Sequence, residues 1–140
     1  MGEMRREARV VRTVAFRASH HYWRDGWSRD ENRRVFGLQC EPHGHDWRAE
    51  FHVVGPIDDA TGWAVALPEL DGALARLLEG WDGGDLNAVV PPVASGAMTP
   101  STENLARWLY ESLAEWGSAS ARVVQVRVFE SPELGSVFPA

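Results

Sequence analysis

The sequence contains no lysine; all fourteen of its basic side chains are arginine. Chemistry that needs an ε-amino group, such as a Schiff base with a carbonyl substrate or a lysine-linked cofactor, is therefore excluded. Cysteine occurs once, as Cys40. No disulfide can form within the chain, and the thiol is either a candidate nucleophile or a buried filler. No apolar run approaches the roughly 20 residues that cross a bilayer, and Met1-Gly2-Glu3-Met4-Arg5-Arg6 has no apolar stretch of the secretory kind, so a cytoplasmic protein is expected. Positive charge is also in deficit. Twenty acids against fourteen arginines leave a net charge of −6, which disfavours nucleic acid or an anionic membrane as the main partner.

What remains is the composition of a folded chain. Hydrophobic residues make up 44% and charged residues 24% of 140 positions, the range of one globular domain spanning residues 1–140. Ten of the arginines lie in residues 1–48 beside seven acids, so the first third is mildly basic and the rest acidic. All five histidines, His20, His21, His43, His45 and His52, fall within a 33-residue window. That clustering marks where chemistry is to be sought.

Periodicity orders the elements. Residues 9–18 alternate, with Val10, Val14, Phe16 and Ala18 on one parity, and His20 continues that face; this predicts a strand. Residues 21–44 show no sustained period and suggest a long connection with a helical turn near Glu31 to Phe36. Residues 45–55 alternate again, and after a turn at Pro56 to Gly62 the string WAVAL at 63–67 reads as a third strand. Leu70, Ala73, Leu74, Leu77 and Leu78 form one helical stripe between Pro68 and Gly80. Residues 81–100 are dense in glycine and proline and predict a loop. A second helix starts at Ser101 or Thr102 and carries Leu105, Trp108, Leu109, Leu113 and Trp116. Ala121 to Glu130 and Gly135 to Phe138 read as closing strands. The order predicts an α+β fold, one antiparallel sheet with both helices on one face.

His43 and His45 are two residues apart, so on a strand their imidazoles leave the same face, shared with Trp47 and Phe51. His20 has the matching parity on its own strand. Pairing the two strands would bring three imidazoles together with one coordination position open, the arrangement of a catalytic zinc site; the plainer alternative is a polar loop at a strand entrance. His21 and His52 lie on the opposite parity and read as surface or supporting residues.

Seven strings carry a resemblance: FRASH (16–20), ENRRVFG (31–37), PHGHDW (42–47), GPIDDATGWAVAL (55–67), WDGGDLN (81–87), PSTENLA (100–106) and VFES (128–131). In order and spacing the chain resembles the 6-pyruvoyl-tetrahydropterin synthase family, which includes the 6-carboxy-tetrahydropterin synthases. The resemblance implies a T-fold, a four-stranded antiparallel sheet with two helices packed on one face, assembled into trimers that stack as a homohexamer. It implies zinc, Zn(II), on His20, His43 and His45, and a pterin-like ligand gripped by Glu130, whose carboxylate suits a guanidine-like donor pair. Glu103, with Thr102 and Ser101, matches a segment that lines the pterin pocket. The alternatives are an ion pair of Glu130 with an arginine such as Arg127, and simple helix capping by Ser101 and Thr102.

The family's catalytic cysteine and Asp-His dyad imply Cys40 and Asp82, but the dyad's histidine is Gly83 here, and Cys40 stands closer to His43 than the family spacing. Asp46 also replaces an asparagine. Three readings follow. One is a pterin-binding homologue that does not carry out the synthase reaction. A second is a working zinc-dependent lyase acting on 7,8-dihydroneopterin triphosphate, with Asp82 or Asp85 assisting Cys40. The third is a noncatalytic assembly scaffold, for which the seven tryptophans, among them Trp23, Trp27, Trp63 and Trp81 outside the helix stripes, offer interface area.

Overall fold

The alternation of apolar side chains becomes a twisted sheet in the computed structural model, which describes residues 6–117 and 121–140. Its strands are β1 (Glu7–His20), β2 (His43–Pro56), the two-residue β3 (Gly84–Asp85), β4 (Arg122–Ser131) and β5 (Leu134–Phe138), in the order β3-β1-β2-β4-β5. The four long strands are antiparallel, as expected, and β3 adds a short parallel contact at Ala18 and Ser19. Residues Met1–Arg5, on which the expectation of no secretory leader rests in part, lie outside the described residues. Among the described residues no helix is long and apolar enough to cross a membrane.

The helices are α1 (Arg29–Phe36), α2 (Leu67–Leu77), α3 (Leu86–Val89), α4 (Pro91–Ala94) and α5 (Thr102–Ser112). Leu70 and Leu74 of α2 and Leu105 and Leu109 of α5 join Phe16, Trp47, Phe51, Val126 and Val128 in one core. Both long helices therefore cover the same sheet face, each fully buried Leu or Phe contributing about 1.5–3 kcal/mol. Ser101 caps α5 by accepting from the Asn104 N–H at 3.1 Å, which replaces a bond the first turn cannot make for itself.

Three expectations need correction. WAVAL at 63–67 is no strand. The helix α2 already begins at Leu67 with Pro68 in its first turn, where a missing N–H does no harm, and its cap Ala66 is extended; before it the chain crosses the end of β2, with the Ala64 carbonyl so near Gly55 that a Cβ there would collide. Only Val65 of the string is fully buried. The glycine-rich stretch 81–100 is more ordered than a loop: it holds β3, α3 capped by Asp85, and α4, which opens on Pro91 and Pro92, where a missing N–H does no harm. His52 is buried, 6% exposed, because it lies on the central strand between Val11 and Gln125.

Candidate functional site

The register of the first two strands builds the site. His20 faces His43 and Ala18 faces His45 across the β1–β2 pair. The shared parity of the three side chains brings their rings together, with centroids 4.6 Å apart for His20 and His43, 5.1 Å for His20 and His45, and 5.0 Å for His43 and His45. One ligand nitrogen from each lies within 4.8 Å of the others. Trp47 forms the floor beneath them, its ring 4.8 Å from His20 and its indole N–H donating to the Ala18 carbonyl at 3.0 Å.

Backbone carbonyls set the tautomers. The Nδ1 of His20 lies 2.9 Å from the Pro100 oxygen and that of His43 lies 2.7 Å from the Glu41 oxygen. A carbonyl only accepts, so each Nδ1 carries the hydrogen and each Nε2 keeps its lone pair. Burial pushes the His20 pKa down to about 4, outweighing the hydrogen bond to Pro100, and the neighbouring His43, His45 and His21 lower it further. The imidazole is neutral at pH 7.

Glu130 enters from β4 on the Val126 and Val128 face. Its Oε2 stands 3.3 Å from His20 Nε2 and 3.2 Å from His45 Nε2. Neither contact is a hydrogen bond: all three histidine Nε2 atoms and Glu130 Oε2 are buried without a hydrogen-bond partner. Four buried nitrogen and oxygen atoms without hydrogen-bond partners, two of them the free lone pairs of His20 and His43 Nε2, fit a divalent cation such as zinc, whose ligands have this character. The ion pair of Glu130 with Arg127 is not formed; Arg127 donates instead to Gln125 at 3.1 Å.

Beside the cluster lies Tyr22, whose ring is 5.3 Å from His20 and is stacked on Phe36, which in turn stacks on Trp27. Burial, and after it the charges of Glu130 and Glu103, raise the Tyr22 pKa above the phenol range, so its hydroxyl stays neutral beside both carboxylates. Sequence reasoning missed Tyr22. The signal was its parity, two residues beyond His20. Glu103 follows the α5 cap and accepts from Thr102 Oγ1 at 2.9 Å and Ser136 Oγ at 3.2 Å. Its own backbone N–H first, then the Thr102 and Ser136 hydroxyls, hold its pKa below the usual carboxylate value.

The expected catalytic side chains are engaged elsewhere. Cys40 is buried at the end of the 3₁₀ turn Gly37–Cys40, its thiol donating to the Asn32 carbonyl at 3.2 Å. Asn32 is itself fully buried: its Oδ1 accepts from the Arg24 N–H at 2.7 Å and its Nδ2 donates to the Arg24 and Ser28 carbonyls. Asp82 accepts from the Arg17 N–H at 3.0 Å, and the Gly83 N–H donates to the Arg17 carbonyl at 2.6 Å. Asp85 caps α3 through the Asn87 N–H. Beside them an open groove of about 470 Å³ is lined by Arg17, Ser19, Gly44, His45, Asp46, Gly83 and Gly84 among others. His21 is tied to Asn87, whose side chain bonds both its N–H and its carbonyl.

Comparison with known proteins is in keeping with this architecture. The family model described as 6-pyruvoyl tetrahydropterin synthase matches residues 9–139. The chain belongs to that family. It is 33% identical to the 6-pyruvoyl tetrahydrobiopterin synthase of Homo sapiens over 115 residues, covering 80% of this chain and 78% of the human protein. It is 31% identical to the corresponding Drosophila melanogaster protein over 129 residues, covering 89% and 74%. The structure of the Caenorhabditis elegans 6-pyruvoyl tetrahydropterin synthase superposes with a TM-score of 0.85 at 22% identity, covering 99% of both chains. The T-fold expectation is borne out at the level of fold, with β3 as an additional short strand. Within this family member Trp81 is no surface residue: it is buried, stacked on Trp108 at 6.1 Å and edge-on to Phe16, whereas Trp23, Trp27 and Trp63 are partly exposed.

Proposed function

We propose that this family member binds a pterin-like heterocycle at the cluster of three histidines and Glu130, over a zinc ion, without carrying out the synthase reaction. The contrast within one site carries the reading. Four buried polar atoms stand unpartnered where a cation and a ligand would be held, while position 83 offers no side chain and the Cys40 thiol is bonded to the Asn32 backbone carbonyl. Positioned acids and bases contribute about 10²–10⁴ each to rate. Two faults in one proton relay leave little of the reaction.

His20, His43 and His45 would hold the zinc, their Nε2 lone pairs oriented by the Pro100 and Glu41 carbonyls in the first two cases. When bound, the ion supplies a Lewis acid that polarises a ligand oxygen. The Glu130 carboxylate accepts from the ring amino group and the adjacent ring N–H, each charge-assisted bond being worth about 1.5–3 kcal/mol. Glu103, Thr102 and Ser101 line the far side at the α5 N-terminus, and Tyr22 contributes a neutral hydroxyl. The alternative, a zinc-dependent lyase active on 7,8-dihydroneopterin triphosphate, draws on the intact histidine set and on Asp82. It requires Cys40 to leave the Asn32 carbonyl.

The proposal extends to assembly and setting. Strand β5 is one open edge of the sheet, and the other edge, β1, is paired with β3 only at Ala18 and Ser19. Such edges call for closure, which in a homohexamer of stacked trimers other copies would supply. A cytoplasmic protein without nucleic-acid or membrane partners accords with the net charge of −6.

Titration with 7,8-dihydroneopterin, followed by its fluorescence, tests the ligand. Glu130→Gln weakens binding by about 1–3 kcal/mol, and Cys40→Ala leaves it unchanged. Equal affinity in wild type and Glu130→Gln would remove the pterin anchor and favour the scaffold reading.

A further inference from the structure

The position of Glu130 contains more than a ligand anchor requires. Its Oε2 does not face open pocket but stands 3.3 and 3.2 Å from the Nε2 atoms of His20 and His45. The Pro100 carbonyl holds the His20 hydrogen on Nδ1, so on that side a carboxylate lone pair faces an imidazole lone pair, and neither atom has a hydrogen-bond partner. Two acceptors held together in a buried site repel each other unless a cation lies between them. The two carboxylate–imidazole distances match a shared ion, while the three histidine nitrogens lie within 4.8 Å of one another. Around a tetrahedral zinc with bonds of about 2.0–2.1 Å, neighbouring ligand atoms are separated by about 3.3–3.4 Å.

We infer that Glu130 Oε2 is the fourth ligand of the metal in the ligand-free protein, closing the coordination position that three histidines leave open. This rests on the proposed metal site and deepens it. One carboxylate then has two tasks: it saturates the ion while the pocket is empty, and it is drawn toward the donor pair of an arriving heterocycle, which frees a coordination position as the ligand binds. A metal saturated by four protein atoms also holds no loosely bound water in the resting state, consistent with a site retained for binding. Tyr22 packs on the His20 ring and Trp47 on the rings of both His20 and His45, which fixes the two imidazoles that Glu130 faces.

The test uses the zinc-loaded wild-type protein without pterin. Its crystal structure is expected to show Glu130 Oε2 about 2.0–2.2 Å from the ion. A water in that position, with the carboxylate oxygen beyond hydrogen-bond contact of the metal, would overturn the inference. In solution, competition with a chelator is expected to show zinc affinity reduced about tenfold or more in Glu130→Gln, at least the loss typical of removing a ligand's supporting contact. Asp46→Asn removes a charge beside His45, one that pairs outward with Arg17 at 2.8 Å, without removing a ligand, and is expected to stay within about threefold of wild type. Unchanged affinity in Glu130→Gln overturns the inference, as does an equal loss in both variants, which would mark a general effect of charge. Dihydroneopterin titration of the same zinc-loaded sample separates the levels. Pterin binding over a zinc that carries water defeats this inference alone, whereas failure of the wild type to take up zinc defeats the metal site with it.

Discussion

Placing at position 83 the imidazole that the family resemblance implies there is the most instructive perturbation. Gly83 has φ of +75°, a backbone conformation that costs an L-residue about 1–2 kcal/mol. A Cβ built there meets nothing within 4 Å, so no steric collision adds to the cost. Relief by rotating the backbone is blocked, because the Gly83 N–H donates to the Arg17 carbonyl at 2.6 Å while Asp82 accepts from the Arg17 N–H. Breaking that clamp would lose about 0.5–1.5 kcal/mol per bond, no better than the strain it relieves. Gly83→His should therefore fold, with stability reduced by about 1–2 kcal/mol and a melting temperature about 3–7 °C lower for a domain of this size. Chemical and thermal unfolding at fixed protein concentration read the stability. Triphosphate release from 7,8-dihydroneopterin triphosphate reads the chemistry, and it should stay near background because Cys40 is still bonded to Asn32. A variant as stable as wild type would show that position 83 relaxes at no cost. A gain of tenfold or more in turnover from this substitution alone would show that the cysteine is in working position, refuting the argument from two faults.

Other outcomes follow from the same geometry. The folded His20 pKa of about 4 lies below the ordinary 6.5, so the unfolded chain binds a proton that the folded chain refuses. The stabilisation is present in full above pH 6.5 and is lost as pH falls toward 4. Metal-free protein should accordingly lose about 3 kcal/mol over that window, seen in denaturant unfolding at stepped pH, with the slope reduced in His20→Phe. Asn32→Leu should cost about 1–3 kcal/mol by leaving the Arg24 N–H without its buried acceptor, and it should expose Cys40 to thiol reagents at rates well above wild type. The Asn32 backbone carbonyl that accepts from Cys40 survives this substitution, so an unchanged labelling rate would mean that the Asn32 side chain does not anchor the segment around the thiol.

The sequence made the site more legible than the path of the chain between its elements. Period-two alternation placed Phe16, Ala18 and His20 on one face, and the pairing of β1 with β2 turned that parity into convergence with His43 and His45. The stripes of α2 and α5 were legible for the same reason: burial imposes a period. WAVAL misled because five residues of alternation record only that the chain is extended. Whether an extended segment pairs depends on a partner strand, and here α2 begins at Leu67, the last residue of the string, before one is reached. The short α3 and α4 were hidden by glycine and proline, residues that stop helices but also open them at the first turn. His52 shows the limit of parity, since a central strand buries residues on both faces. The engagement of Cys40 with Asn32 was illegible, because it depends on a contact between the 3₁₀ turn and α1.

The central claim, that binding has outlasted catalysis, is tested most directly by one parallel measurement on zinc-loaded wild-type protein with 7,8-dihydroneopterin triphosphate. Saturable binding is recorded by fluorescence and inorganic triphosphate release in the same samples. The account predicts stoichiometric binding that depends on Glu130, with release no faster than in protein-free controls. Robust release abolished by Cys40→Ala would contradict it and establish the chain as a working lyase.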